Sequence, residues 1–127
     1  MFTGWVGAAP RNVLVVDDYA AIRVLLRMAV EEAGFAVCGE AADGREAVQL
    51  AQALRPDLVT MDLAMPGMDG AEATRKIVTE LGIPVLVVSD VESSDLIGAA
   101  IAAGACWHVA KSDVVRELPL ALAALLR

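Results

Sequence analysis

Five side chains of this 127-residue chain have the types and positions to do chemistry together. Asp17 and Asp18 close a short β-branched run, and Asp62 and Ser89 close two others. Lys111 follows a fourth such run. Carboxylates crowded at one place repel unless a cation sits among them. Hard oxygen ligands with open positions suit Mg²⁺, which keeps waters and binds substrate phosphate. With that metal in place, a central Asp62 can attack a phosphoryl group and become an acyl phosphate. Lys111 and the Ser89 hydroxyl would then hold the phosphoryl oxygens. The plainer role for Asp17 and Asp18 is to end a strand and cap the next helix. Five suitable groups at the ends of four different strands outweigh it.

Those groups converge only if the runs are strands of one sheet. Val13 to Asp17 is continuously apolar up to its end, as expected of a strand buried on both faces. Ile22, Leu25, Leu26, Ala29, Val30 and Ala33 follow at helical spacing, with Arg23, Arg27 and Glu31 on the opposite face and Gly34 as a stop. The spacing then predicts a strand over Phe35–Gly39 and a helix carrying Ala47, Leu50, Ala51 and Leu54, closed by Arg55-Pro56. A third strand, Leu58–Asp62, leads through a Met-, Pro- and Gly-rich loop to a helix from about Ala71 to Leu81, with Asp69 as its cap. Pro84–Val88 is the fourth strand, and Ser93 or Ser94 caps a helix through Ala103. Cys106–Ala110 is the fifth, and a last helix runs from near Val115 to Leu126, with Pro119 close to its first turn. Five βα units of this kind imply an α/β fold with a parallel sheet covered on both faces. In such sheets the site lies beyond the carboxyl ends of the strands, where the five groups stand.

Composition narrows the function further. Seventeen acids against ten bases leave a net charge of −7, the reverse of a nucleic-acid-binding surface. Direct DNA binding by these residues is therefore not expected. The hydrophobic fraction of 57% is inflated by 24 alanines. The longest uncharged stretch, Leu96 to Ala110, is shorter than the ~20 residues of a spanning helix, so no membrane segment is expected. Residues 1–10, Trp5 included, lack the basic start and apolar block of a secretion signal and read as an N-terminal extension. Cys38 and Cys106 have no metal spacing and are expected to be buried, reduced thiols of a cytoplasmic protein. Met61, Met65 and Met68 are expected to pack in the core or the loop.

From Arg11 onward the chain resembles the receiver domain of two-component response regulators, of the chemotaxis-regulator type. The carrying motifs are Val13-Leu-Val-Val-Asp-Asp18, the run Asp57–Gly70 with its Asp-x-x-Met-Pro-x-Met-Asp-Gly string, Pro84–Ser89, and Ala102–Ser112. The resemblance implies a flavodoxin-like sheet of order 2-1-3-4-5 with five helices over residues 11–127. It makes Asp62 the phosphoacceptor, charged by a histidine kinase or phosphotransfer protein. Asp17, Asp18, Asp62 and the main-chain carbonyl of Ala64 become the Mg²⁺ ligands, Lys111 the partner of the acyl phosphate, and Ser89 the switch hydroxyl. Signalling, including dimerisation or effector contact, would run through the face of the fourth helix, fifth strand and fifth helix. No enzymatic activity is implied beyond self-phosphotransfer and autodephosphorylation.

Four residues depart from the family pattern. His108 stands where receivers usually place a Tyr or Phe that turns inward. It is either a smaller rotamer switch or a partly exposed strand residue that has lost the role. We carry forward a weakened switch, because Trp107 cannot share its side of a strand. Asp90 replaces a small residue beside Ser89, where a carboxylate either opposes an incoming phosphoryl group or slows its loss, or else points to solvent. Ala64 and Val91 flank the path of a hydrolytic water and cannot orient it, so slow to moderate autodephosphorylation is expected. The alternative function is a receiver-like protein with impaired switching that serves as a phosphate sink or interaction module. A haloacid-dehalogenase-like phosphatase would need an acid at Ala64, and a flavodoxin-like carrier a hydroxyl- and glycine-rich loop at Asp17-Asp18-Tyr19; neither is present. The stretch Cys38–Val48 and the pair Lys111-Ser112 are similar to receivers joined to helix-turn-helix or methylesterase outputs. The length is that of one receiver, stand-alone or part of a longer regulator.

Overall fold

The computed structural model describes residues 10–90 and 94–127. The chain alternates β1 (Asn12–Val16), α1 (Ala20–Glu32), β2 (Ala36–Ala41), α2 (Gly44–Leu54), β3 (Leu58–Met61), α3 (Gly70–Leu81), β4 (Val85–Ser89), α4 (Ser94–Ala102), β5 (Trp107–Ala110) and α5 (Val114–Leu126), with a 3-10 turn at Lys111–Asp113. The five strands are all parallel, in the order 2-1-3-4-5 expected from the resemblance. The proposed extension 1–10 (all but Pro10), Trp5, Val91 and the alternative cap Ser93 lie outside the described residues. No helix among the described residues is long and apolar enough to cross a membrane.

The alternation of side chains along the buried strands builds two cores. Val13, Val15, Leu58, Leu86, Val88 and Val109 face α1 and α5, where Leu26, Val30, Leu118 and Leu122 meet them. Leu14, Val16, Val59, Met61 and Val85 face α2 and α3, meeting Ala47, Ala51, Ala73 and Ile77. Alanines on α2 and α3 let both helices lie close to the sheet, and Met61 and Met65 fill that core with Met68 packed against it. A smaller group, Leu63, Val87, Ala100 and Ala105, seats α4.

Element ends follow local chemistry. Gly34 takes φ +94°, a conformation open to glycine, and the Phe35 N–H donates back to the Val30 carbonyl, closing α1. Asp69 caps α3 by accepting from Glu72 N at 2.7 Å, as expected. Asp43 does the same for α2 through Glu46 N, while Glu46 accepts from Ala42 N.

Three expectations need correction. The second strand is Ala36–Ala41 rather than Phe35–Gly39: Phe35 is spent on closing α1, and past the register shift that skips Cys38 the strand runs on, with Gly39, Glu40 and Ala41 opposite Leu14, Val15 and Val16. Pro119 lies at the sixth residue of α5, in the second turn and not near the first, because the 3-10 turn lets α5 begin at Val114. Its ring removes the donor that would reach Val115, a residue on the exposed side of the helix. Cys106 is exposed and Cys38 half-buried, so neither is a buried thiol; Cys106 Sγ, just ahead of β5, donates to the Val85 carbonyl at 3.3 Å. Arg23 and Arg27, on the face of α1 opposite its apolar stripe, both bind Glu40 of β2, at 3.0 and 2.8 Å.

Candidate functional site

Parallel pairing brings the carboxyl ends of β1, β3, β4 and β5 to one rim. β1 ends beside β3 with Val16 opposite Met61, so the next residues, Asp17 and Asp62, stand side by side. The Asp62 N–H donates to the Val16 carbonyl at 3.0 Å and the Asp17 N–H to the Ala41 carbonyl at 3.1 Å, which fixes both backbones. Ser89 ends β4 opposite Ala110 of β5, and Lys111 follows at once. Gly70 supports Asp62 from below. A Cβ there would overlap the Asp62 carbonyl oxygen and reach within 2.7 Å of Leu63 Cα, so the loop after β3 closes only over glycine.

The side chains converge as their spacing predicted. Asp17, Asp62 and Ser89 are buried, Asp18 half-buried. Lys111 Nζ lies 3.0 Å from Asp17 Oδ2 and 3.3 Å from Asp62 Oδ1. Asp17 Oδ1 accepts from Tyr19 N at 2.9 Å, so Asp17 also serves the turn into α1. Asp18, Asp62, Ala64, Ser89, Asp90 and Lys111 line a cavity of about 230 Å³ at this rim. Asp90 borders the cavity while remaining exposed.

The electrostatics are unbalanced. Three carboxylates share one ammonium, and burial first, then the Asp17 carboxylate, push the Asp62 carboxyl up to about 6 against the pull of Lys111. Burial pushes the Lys111 ammonium down, and its two acid partners more than reverse this, so its pKa is raised. Asp18 Oδ1 and Asp62 Oδ2 are buried with no hydrogen-bond partner; Asp17 Oδ2 likewise lacks one and meets Lys111 only as an ion pair. One ligand oxygen from each of Asp17, Asp18 and Asp62 lies within 4.8 Å of the others. Orphaned, buried, all-oxygen donors at this spacing fit a hard divalent cation such as Mg²⁺. No other acidic or His/Cys group among the described residues meets that spacing.

The family model of the response regulator receiver domain matches residues 13–123. The chain belongs to that family. This receiver domain is 41% identical to the chemotaxis protein CheY of Thermotoga maritima over 102 residues, 80% of this chain and 85% of that one. It is 40% identical to the transcriptional regulatory protein PdtaR of Mycobacterium tuberculosis over 119 residues, 91% of this chain but 58% of that one. It therefore spans little more than half of that longer regulator. Among solved structures it superposes on the response regulator domain of Thermotoga maritima CheB with a TM-score of 0.84 at 31% identity, covering 91% of this chain and 96% of the other. The family is that of two-component signalling, and the receiver is its regulatory domain.

The expected switch residue His108 is half-buried on β5, with Trp107 on the opposite face. Its Nε2 lies 3.3 Å from Ser89 Oγ. Residue types alone missed this bond. Only the pairing of β4 with β5 reveals it, because His108 opposite Val87 and Ala110 opposite Ser89 place the imidazole diagonally beside the hydroxyl. Two further buried hydroxyls, those of Thr60 and Thr74, have no partner; the sequence carries no signal of this.

Proposed function

We propose that this receiver domain, over residues 11–127 with 1–10 as an extension, accepts a phosphoryl group on Asp62 from a phosphohistidine of a partner histidine kinase or phosphotransfer protein. A carboxylate oxygen of Asp62 attacks phosphorus as the P–N bond breaks, and the electron pair leaves with the donor imidazole. Lys111, already paired to Asp62, holds a phosphoryl oxygen and offsets the added charge of about −1.5 to −2. The Ser89 hydroxyl donates to another. Asp17, Asp18, Asp62 and the main-chain carbonyl of Ala64 would hold Mg²⁺. Bound there, the ion neutralises the surplus carboxylates and the charge on the transferring group.

Capture of Ser89 draws the end of β4 toward the rim and biases the α4-β5-α5 face. That face carries exposed Leu96, Ile101, Trp107 and Leu120, apolar groups suited to protein contact in dimerisation or with an effector. The two-state bias need amount to only a few kcal/mol. The domain's chemistry is limited to its own phosphotransfer and hydrolysis, and its setting is cytoplasmic.

The observation that carries this reading is the convergence of Asp17, Asp62 and Lys111 at 3.0–3.3 Å beside carboxylate oxygens that have no partner. The test is incubation with Mg²⁺ and acetyl phosphate or a cognate kinase. An acid-stable, base-labile phosphate mark is expected on the wild type and not on Asp62→Ala. Absence of the mark from wild type, or an undiminished mark on Asp62→Ala, overturns the reading.

A further inference from the structure

The bond between Ser89 and His108 has consequences that neither residue carries alone. A serine hydroxyl has one proton to give, and an imidazole nitrogen either donates or accepts. If Ser89 gives its proton to His108 Nε2, it has none for a phosphoryl oxygen. If the ring is an imidazolium, Nε2 can only donate, and the Ser89 proton is released. The two residues are held to this exchange by the sheet: both point to the side of β4 and β5 that α4 covers, where Val87 packs against Ala100. Ser89 is 2% exposed, so little water competes for its proton.

We propose that His108 is a positioning residue for Ser89. As neutral imidazole it accepts the Ser89 proton and holds the hydroxyl off the phosphoryl site; on taking a proton from solvent it donates to Ser89 Oγ and turns the hydroxyl toward the phosphoryl group. The inference rests on Asp62 being the phosphoacceptor. It couples proton uptake by His108 to phosphoryl capture by Ser89, and such coupling is reciprocal. Phosphorylation raises the proton affinity of the ring, and protonation of the ring favours the captured hydroxyl. Among the described residues the ionisable groups on the elements around the ring are Asp90 after β4, Asp95 in the first turn of α4, Cys106 ahead of β5 and Lys111 after β5, whose ammonium is taken up by Asp17 and Asp62. Among the described residues the ring forms no ion pair, so Ser89 is the partner that distinguishes its two forms.

His108 is the only histidine of the chain, so a ¹⁵N-histidine sample gives one imidazole to follow. Its titration is recorded with Mg²⁺ alone and with Mg²⁺ plus beryllium fluoride as the phosphoryl mimic, the bound-fluoride ¹⁹F signal reporting loading separately. The neutral ring is expected to carry its proton on Nδ1 before loading. Loading is expected to raise its midpoint by about one pH unit in wild type, and by less than half as much in Ser89→Ala, where only the field of the mimic remains. As a second variant, His108→Phe keeps a ring without an acceptor. The loading-induced shifts of α4 amides are expected to lose their dependence on pH. A neutral ring protonated on Nε2 before loading, an equal shift in Ser89→Ala, or unchanged pH dependence in His108→Phe overturns the inference while leaving the phosphoacceptor reading intact. No bound-fluoride signal at all overturns both.

Discussion

Replacing Asp62 by asparagine should make the metal-free protein more stable, although it removes a buried ion-pair partner. Asp62 lies within reach of Asp17 and Asp18, and the three acids share the single ammonium of Lys111. With its carboxyl raised from 3.8 to about 6, ionising Asp62 in the folded chain costs about 3 kcal/mol, at about 1.4 kcal/mol per pH unit. The folded state keeps this proton to higher pH than the unfolded chain. The group's stabilising contribution is therefore complete below its unfolded value near 3.8 and is lost as pH rises through about 6. Asp62→Asn removes that loss, in which the Lys111 attraction is already included, and buries a neutral amide in its place, leaving a net gain of about 2 kcal/mol at neutral pH. For a domain of this length the gain is a rise in melting temperature of about 6–8 °C. Thermal unfolding in chelator across the range from about pH 4.5 to 8 reads it directly, and the gap should close toward the acid end. Mg²⁺ should then stabilise wild type more than the substituted protein, because binding to the folded state alone adds stability by mass action. Equal melting temperatures at neutral pH, or a gap that acidification leaves unchanged, would refute the reasoning.

Asp90 borders the cavity from an exposed position, so Asp90→Asn should speed phosphorylation by anionic acetyl phosphate about two- to fivefold at low salt, with the gain fading as salt screens it; identical initial rates would contradict this. Gly70→Ala forces a Cβ into the backbone of Asp62 and Leu63 and should cost about 3 kcal/mol or more in urea unfolding. A loss below about 1 kcal/mol would mean the loop can shift aside. Ala64 and Val91 offer no side-chain hydrogen bond to a hydrolytic water, so the phosphorylated domain should decay slowly; a half-life of seconds in purified protein would sink that expectation.

Much of this architecture was legible in the residues because burial and periodicity leave direct marks. Val13–Val16 and Val85–Val88 are apolar on both faces, and Leu58–Met61 is so but for Thr60, because helices cover both faces, and each run ends at the polar group that works on the rim. Asp69 announced its cap by position alone. What stayed hidden depends on which residues meet across elements. Arg23 and Arg27 carry no mark of Glu40, which lies on the far side of Gly34 in the chain. The shortened entry to α5 depends on a 3-10 turn that no periodicity reports, and with it the place of Pro119. The exposure of Cys106 follows from its place ahead of β5, not from its type. The diagonal from Ser89 to His108 requires the β4–β5 register, which two apolar runs do not specify. The surplus charge at Asp62 was foreseeable from three acids and one lysine; its size depends on burial.

The central claim is that Asp62 is the group phosphorylated. The most direct test is to react the Mg²⁺-loaded protein with a phosphodonor, trap the acyl phosphate by borohydride reduction and map the product by peptide mass spectrometry. Reduction is expected at Asp62 alone, dependent on Mg²⁺ and lost in chelator. A trapped residue elsewhere in the chain, or none with the donor consumed, would contradict it.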